Sequence, residues 1–583
     1  MEIWFLRDMP RLSREREAIE NLQDTESWLG GIHWIIEKQL CLNAVISVDG
    51  NEYPIRLVYP DFFPFVPPTV YPANPGEHWS SHQYNDGGLC LEWGPDTWHP
   101  DVTGAQVLES AYKLLHIENP SGTKHEVAPS RHYLSAGQIL RHRYGRFLVT
   151  NGLINYFSDL PSDGKGTLEF GLQWQSKSVT ALIQKVNTIG TDTWEDTSLP
   201  AGMRSSQAKQ TLKSGVFYKT QLDSEAIRTI ANLKELEQLL DEAGYFPRDW
   251  EGGQLEDWLF GVLLQDASAC LHFFLLFNFN NENQLLPLLS FQSEKNLVNP
   301  RIPPELNKLP EKTVGIVGLG SVGSKIATSL ARTGVGSFFL VDGDIFVPEN
   351  VCRNVLDWRN VGEHKVDAVA EILSCISSNI KVDVARINLT GQEANASLDA
   401  VLKKLSKCDL LIDATANSRV FNLLAATAKN YTKPLVWMEV FAGGIGGMIA
   451  RSRPNQEPEP QLMRVAYHHY LASIDTEYNN FVVSDYTLEN QEGEVVSATD
   501  AEVSIIASYA TGFATDILQG TELSNFPYSM YLIGFAKSWI FKAPFHTIPI
   551  ATDHLSQQEN TTVANEVLSE SLAFLTNLLN QKS

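Results

Sequence analysis

The chain has 583 residues, of which 43% are hydrophobic, with six cysteines and a formal net charge of -24. That length holds about four domains, each able to bury a core, and the hydrophobic share excludes overall disorder. The acidity argues against nucleic acid or an anionic membrane as partner, the few cysteines exclude a disulfide framework, and together they predict a cytoplasmic enzyme.

At the front, Met1-Glu2-Ile3-Trp4-Phe5-Leu6-Arg7 lacks the apolar run of a secretory leader. Residues 13–22 pattern as a helix and 40–48 alternate in part. Asp49-Gly50 forms a hairpin turn and residues 53–59 supply the returning strand. A proline-rich crossing follows, Tyr59-Pro60-Asp61-Phe62-Phe63-Pro64-Phe65-Val66-Pro67-Pro68. After it come His82, then Gly87-Gly88-Leu89-Cys90-Leu91, then Trp98-His99-Pro100, and a second helix at 105–115. Gly87-Gly88 and the polar Asn85-Asp86 predict an accessible loop at Cys90, against the buried fate commonest for a free cysteine. A thiolate attacks well and leaves well, which suits an acyl group carried as a thioester.

In element order and cysteine position, residues 1–120 resemble the ubiquitin-conjugating fold, an α+β domain, and the resemblance implies that Cys90 is its acyl carrier. The family's His-Pro-Asn triplet is absent, and His82-Gln83-Tyr84 stands nearby. In the family that Asn stabilises the transfer oxyanion. Asn85 or His82 can substitute, or simply hold the loop.

Residues 159–166 read as a loop into a middle region that mixes helical pattern (227–243) with strand-like runs (270–279) and carries no catalytic motif. The apolar stretch 259–279 is broken by Gln265, Asp266 and His272, so it reads as core and not as a membrane span. Pro300, Pro303, Pro304 and Pro310 mark a linker. The expected domains are 1–150, a linker domain at 151–300 that positions its neighbours, and 301–583.

The rear region opens on Val314-Gly315-Ile316-Val317-Gly318-Leu319-Gly320-Ser321-Val322-Gly323, a strand, a glycine turn and a helix start. Gly318 makes the turn, Gly320 lets backbone approach phosphate, and Gly323 lets helix pack on strand. The helix start at Ser321 offers free N–H groups to phosphates. Asp342, about 20 residues on, can bond ribose hydroxyls. Dinucleotide enzymes share this pattern, so the residues that follow must decide between nucleotides. Asp342-Gly343-Asp344, Asn350-Val351-Cys352-Arg353 and Gly362-Glu363-His364-Lys365 resemble the D-x-D…N-x-x-R…G-x-x-K series of ubiquitin-activating enzymes and the wider ThiF family. The resemblance implies a Rossmann-like adenylation domain binding ATP, with Arg353 and Lys365 neutralising phosphate charge and Asn350 beside them. Nucleotidyl transfer needs such cations, whereas hydride transfer does not.

Asp409-Leu410-Leu411-Ile412-Asp413-Ala414-Thr415-Ala416-Asn417 reads as a buried strand and polar loop resembling the family's D-x-T-D-N, with Ala416 in place of the second acid. Magnesium would then fall to Asp413 or Asp344, or rely on ATP itself. Gly443 to Gly447 allows close backbone packing, and residues 563–579 form an amphipathic helix expected to pack. Residues 484–500 resemble the activating enzymes' crossover loop, but no cysteine follows Cys408. Direct transfer to Cys90, a relay through a cysteine such as Cys352, and loss of the usual thiol by substitution all remain open. Cys352, Cys375 and Cys408 read as packing residues.

A conjugating-like front and an activating-like rear in one α/β multidomain chain resemble bacterial fusion proteins encoded beside cGAS/DncV-type cyclic-nucleotide synthases in anti-phage (CBASS) operons. This implies a homodimer that activates the synthase's C-terminus, loads it on Cys90 and conjugates it to a protein or small amine. A sulfur-carrier activator and a non-catalytic ATP-sensing scaffold are the alternatives.

Overall fold

A computed structural model describes residues 3–576 except 75, 78, 81, 82, 85, 119, 121–139, 142, 189–191, 205–210, 246–258, 281, 293–302, 475–486, 490–494, 521–523, 553–568 and 570. His82, Asn85 and parts of the 484–500 and 563–579 segments therefore lie outside the described residues. The architecture is mixed α/β in two compact units, Met1–Arg141 and His142–Ser583.

The first unit runs α1 (Trp4–Arg7), α2 (Met9–Thr25), β1 (Leu29–Ile36), β2 (Leu40–Val48), β3 (Asn51–Tyr59), β4 (Thr69–Pro72) and α3 (Gly104–Glu118). The four strands form an antiparallel meander in chain order. Asp49 (φ 49°) and Gly50 (φ 84°) are both left-handed, the backbone a two-residue hairpin needs and the reason this turn is legible locally. On β3 the residues Tyr53, Ile55, Leu57 and Tyr59 are buried while Glu52 and Pro54 face out, a period of two that fixes the register. Glu15 ties three elements together. Its carboxylate accepts from the Tyr59 hydroxyl at 2.9 Å and the Gly104 N–H at 2.7 Å and pairs with Arg11 at 2.8 Å. Burial still pushes its pKa above the ordinary carboxylate range, against those donors.

The second unit contains two sheets. The first consists of β5 (Gly145–Val149), β6 (Lys165–Gln175), β7 (Ser178–Thr188), β8 (Trp194–Glu195), β9 (Lys213–Lys219), β10 (Leu259–Gln265), β11 (Leu271–Phe279) and β12 (Glu282–Gln292). β5 pairs with both β12 and β7, so the sheet closes on itself, and the residues just ahead of the expected boundary at 150 are part of it. Phe147, Phe170, Phe217, Leu263 and Phe273 pack together as one core. Val262, Leu264, Phe274 and Leu276, from the opposite faces of β10 and β11, form another with the helices α5 (Ser224–Arg228) and α6 (Leu233–Glu242), which follow α4 (Asn151–Asp159). Burial on both faces is why 259–279 reads as a continuous apolar run. Among the described residues no helix is long and apolar enough to cross a membrane.

The second sheet has the order β15-β14-β13-β16-β17-β18-β21-β22. Its strands are β13 (Thr313–Val317), β14 (Ser337–Val341), β15 (Lys381–Ala385), β16 (Leu410–Asp413), β17 (Leu435–Val440), β18 (Gly446–Ser452), β21 (Met530–Gly534) and β22 (Thr547–Pro549); a separate ribbon pairs β19 (Thr487–Glu489) with β20 (Val495–Ser497). β15 through β17 run parallel and the rest antiparallel. The chain leaves β13 for β14 on one side and later returns to β16 on the other, which makes the ends of β13 and β16 the switch point of a Rossmann-like fold. Its helices are α7 (Ser321–Thr333), α8 (Lys365–Ser374), α9 (Asn395–Leu405), α10 (Ser418–Asn430), α11 (Pro460–Ile474) and α12 (Asp500–Gln519).

Three packing expectations fail. Cys375 is exposed because it caps α8 beyond the last buried residue, Leu373. Cys352 is exposed in a polar loop, its sulfur 3.4 Å from the Glu349 carbonyl. Residues 571–576 are helical, but Leu572, Phe574 and Leu575 are exposed rather than packed. Cys408 is buried as expected, and burial pushes its thiol up to about 12.

Candidate functional site

At the switch point lies a cavity of about 330 Å³. Gly318, Gly320, Ser321, Asp342, Asp344, Asn350, Arg353 and Lys365 all line it. Gly318 has φ 88°, and a Cβ there would press on Thr415 and Ala414. Gly323 lies behind the turn, where a Cβ would collide with the Gly318 carbonyl. These two glycines thus let α7 start directly against β13. Gly320 caps α7 without any side-chain hydrogen bond, which leaves the first N–H groups of the helix for a ligand.

Asp342 has a structural duty that its motif does not reveal. Its Oδ2 accepts from the Leu319 N–H at 2.6 Å and its Oδ1 from the Asp344 N–H at 2.8 Å, so it ties the glycine turn to the end of β14. Burial pushes its pKa up despite both donors. Lys365 is the first residue of α8 and is buried. It donates from Nζ to Asp344 Oδ2 at 2.9 Å and from its backbone to the Asp344 carbonyl at 3.1 Å. Asn350 accepts from the Val347 N–H at 3.2 Å, closing the short turn that leads to Arg353. Both cations thus reach one cavity from separate loops.

Asp413 stands elsewhere. It is buried at the end of β16 and lines a smaller cavity of about 30 Å³ with Glu439 and Arg464, sharing Asn417 with the larger one. Thr415 donates to its Oδ1 from Oγ1 at 2.6 Å and from the backbone at 3.0 Å. Burial outweighs these bonds and pushes its pKa up to about 6. With an unfolded value near 3.9, the folded state binds the extra proton between about pH 4 and 6, so stability falls as pH rises through that window. Asp413→Asn, which can keep accepting from Thr415, should raise the thermal midpoint above pH 6 by an amount equivalent to about 1–3 kcal/mol, and the gain should vanish near pH 4. A pH-independent gain would show that burial of this charge is not the cause.

The motif reading misses Asn354, Asn388 and Thr390, which also line the larger cavity. Asn354 donates to the Leu319 carbonyl at 3.3 Å. Asn388 and Thr390 follow β15, and their only signal is position, since loops at the carboxyl ends of parallel strands face the switch point. Among the described residues no cluster of three or more His, Cys, Asp or Glu is arranged to hold a metal ion. A magnesium ion bound mainly through phosphates needs only one or two carboxylates. Asp344, 62% exposed at the cavity, fits that need, whereas Asp413 is enclosed.

In the first unit Cys90 is half-buried between the buried Leu89 and Leu91. Leu89 donates to the Val70 carbonyl at 2.9 Å and bridges to Gln83. The Gln83 amide spans the loop, donating to the carbonyls of Glu77 and Gly87 at 2.9 and 2.8 Å. The loop bearing the sulfur is therefore held by the chain's own backbone.

Residues 294–534 match the model of the ThiF family, and residues 166–290 match one described as a domain observed between E2 and E1 domains. The chain is 36% identical over 162 residues to "Adenylyltransferase and sulfurtransferase uba4" of Aspergillus fumigatus, covering 27% of this chain and 31% of that one. It is 30% identical over 157 residues to "Ubiquitin-like modifier-activating enzyme 5" of Caenorhabditis elegans, covering 26% and 37%. The chain thus spans about a third of the length of these two relatives. A longer match, 24% identity over 511 residues, joins 78% of the chain to 82% of "Uncharacterized protein y4qC" of Sinorhizobium fredii. The solved structure of E. coli MccB is similar at 14% identity with a TM-score of 0.33, covering 43% of this chain and 67% of that one.

Proposed function

From a chain whose residues 294–534 match the ThiF family, we propose an ATP-dependent enzyme that adenylates the C-terminal carboxylate of a protein and passes the acyl group to Cys90. The observation that carries this reading is the meeting of the glycine turn, the open start of α7 and two cations, Arg353 and Lys365, in one cavity. The carboxylate oxygen attacks the α-phosphorus, the bond to the β-phosphate oxygen breaks, and pyrophosphate leaves with that electron pair. Charge builds on the phosphate oxygens, where Arg353 and Lys365 offset it, while Asp342 takes a ribose hydroxyl. Magnesium, when bound, supplies further charge there, with Asp344 its protein ligand. The Cys90 thiolate then attacks the acyl carbon, AMP leaves, and the thioester is ready for transfer to an amine on a protein or small molecule.

The finer reading rests on resemblance. The client would be the C-terminus of a cGAS/DncV-like nucleotidyltransferase, and a cytoplasmic homodimer would prime anti-phage signalling. The separate domains would span 1–150, 151–300 and 301–583. A second reading, a sulfur-carrier activator, draws on the adenylyltransferase and sulfurtransferase relative.

One experiment separates these. The full chain is incubated with ATP and such a nucleotidyltransferase, and pyrophosphate release and intact mass are followed before and after added thiol. Expected are pyrophosphate and a thiol-labile adduct of client less water. A thiocarboxylate on the client would select the sulfur reading, and absence of pyrophosphate release with every candidate tail would end both.

A further inference from the structure

We propose that the Tyr84 hydroxyl is a catalytic hydrogen-bond donor to the Cys90 sulfur, easing departure of the thiolate when the acyl group moves to an amine. This rests on the reading of Cys90 as the acyl carrier. It starts from register. Gln83 and Leu89 form an antiparallel bridge, the Tyr84 N–H donates to the Gly88 carbonyl at 2.8 Å, and the Gly87 N–H donates to the Tyr84 carbonyl at 2.9 Å. Tyr84 is therefore opposite Gly88, and Cys90, two residues beyond Gly88, is its diagonal neighbour on the same face. A diagonal partner is within reach of an aromatic side chain, and the phenol oxygen indeed stands in hydrogen-bonding relation to the Cys90 sulfur. Asp86, which accepts from the Gly88 N–H at 3.1 Å, holds the turn that fixes this pair.

The chemistry suits a donor. That sulfur, with some burial and the carboxylates of Asp96 and Asp86, holds the phenol up to about 12, so it keeps its proton at neutral pH. In transfer the amine nitrogen bonds to the thioester carbon, the carbon–sulfur bond breaks, and its electron pair goes to the sulfur. The phenol stabilises that charge by hydrogen bond without giving up its proton, and the amine's proton passes to water. Tyr84 is 51% exposed, so removing its hydroxyl leaves the core untouched.

The test needs no natural client. The full chain is loaded by thiol exchange from the 2-mercaptoethanesulfonate thioester of acetylglycine, and discharge to hydroxylamine is timed by intact mass. Tyr84→Phe should load Cys90 to the same extent but discharge it about tenfold or more slowly, the size of one hydrogen bond to a charged group. Loading of Cys90 with an unchanged discharge rate in Tyr84→Phe overturns the role of Tyr84 alone. Equal loading of Cys90→Ala overturns the acyl-carrier reading beneath it.

Discussion

Lys365→Ala is expected to lower client-dependent ATP–pyrophosphate exchange by about 10²–10³-fold, the range for losing one pre-placed charge or donor at a developing anion. Two features make the effect large. Lys365 is the first residue of α8 and is buried, so its ammonium is aimed by the helix rather than by a mobile stem. Its Nζ also pairs with Asp344 at 2.9 Å. Alanine therefore removes a cation and leaves a carboxylate facing the phosphates, two changes of the same sign. Arg359 supplies the control, because its side chain is 88% exposed and engaged with Asp357, and Arg359→Ala should leave exchange unaltered. Wild-type exchange in Lys365→Ala would remove the phosphate role of this residue.

Cys90→Ala should abolish the thiol-labile adduct completely while exchange continues at the wild-type rate. Adenylation uses the cavity of the second unit, and the sulfur enters only afterwards, so the two activities must separate. Cys270, Cys352 and Cys375 are also exposed and could compete as acceptors. Cys352 is the sharpest rival because Arg353, its neighbour, lines the cavity. Adduct that survives in Cys90→Ala and disappears in Cys352→Ala would move the acceptor to the adenylation domain. Loss of exchange in Cys90→Ala would instead mean that the substitution disturbs more than the acyl carrier.

What the sequence by itself determined is what a few neighbouring residues decide. Asp49-Gly50 announces its turn because the left-handed backbone favours those residue types, and the glycines after β13 announce theirs because a Cβ would strike the neighbouring strand. Arg353 and Lys365 were legible as cations at set spacings from Asp342, although the sequence could not show that they share a cavity. Tertiary structure alone decided the rest. It closed β5 onto β7 and β12, buried Asp413 away from the main cavity, turned Asp342 toward the Leu319 N–H, and brought the Tyr84 hydroxyl to the Cys90 sulfur. Each of these depends on strand pairing or burial between segments, and neither is written in any single stretch of chain. Local preferences act over a few bonds, whereas pairing and desolvation are settled only when distant faces leave water together.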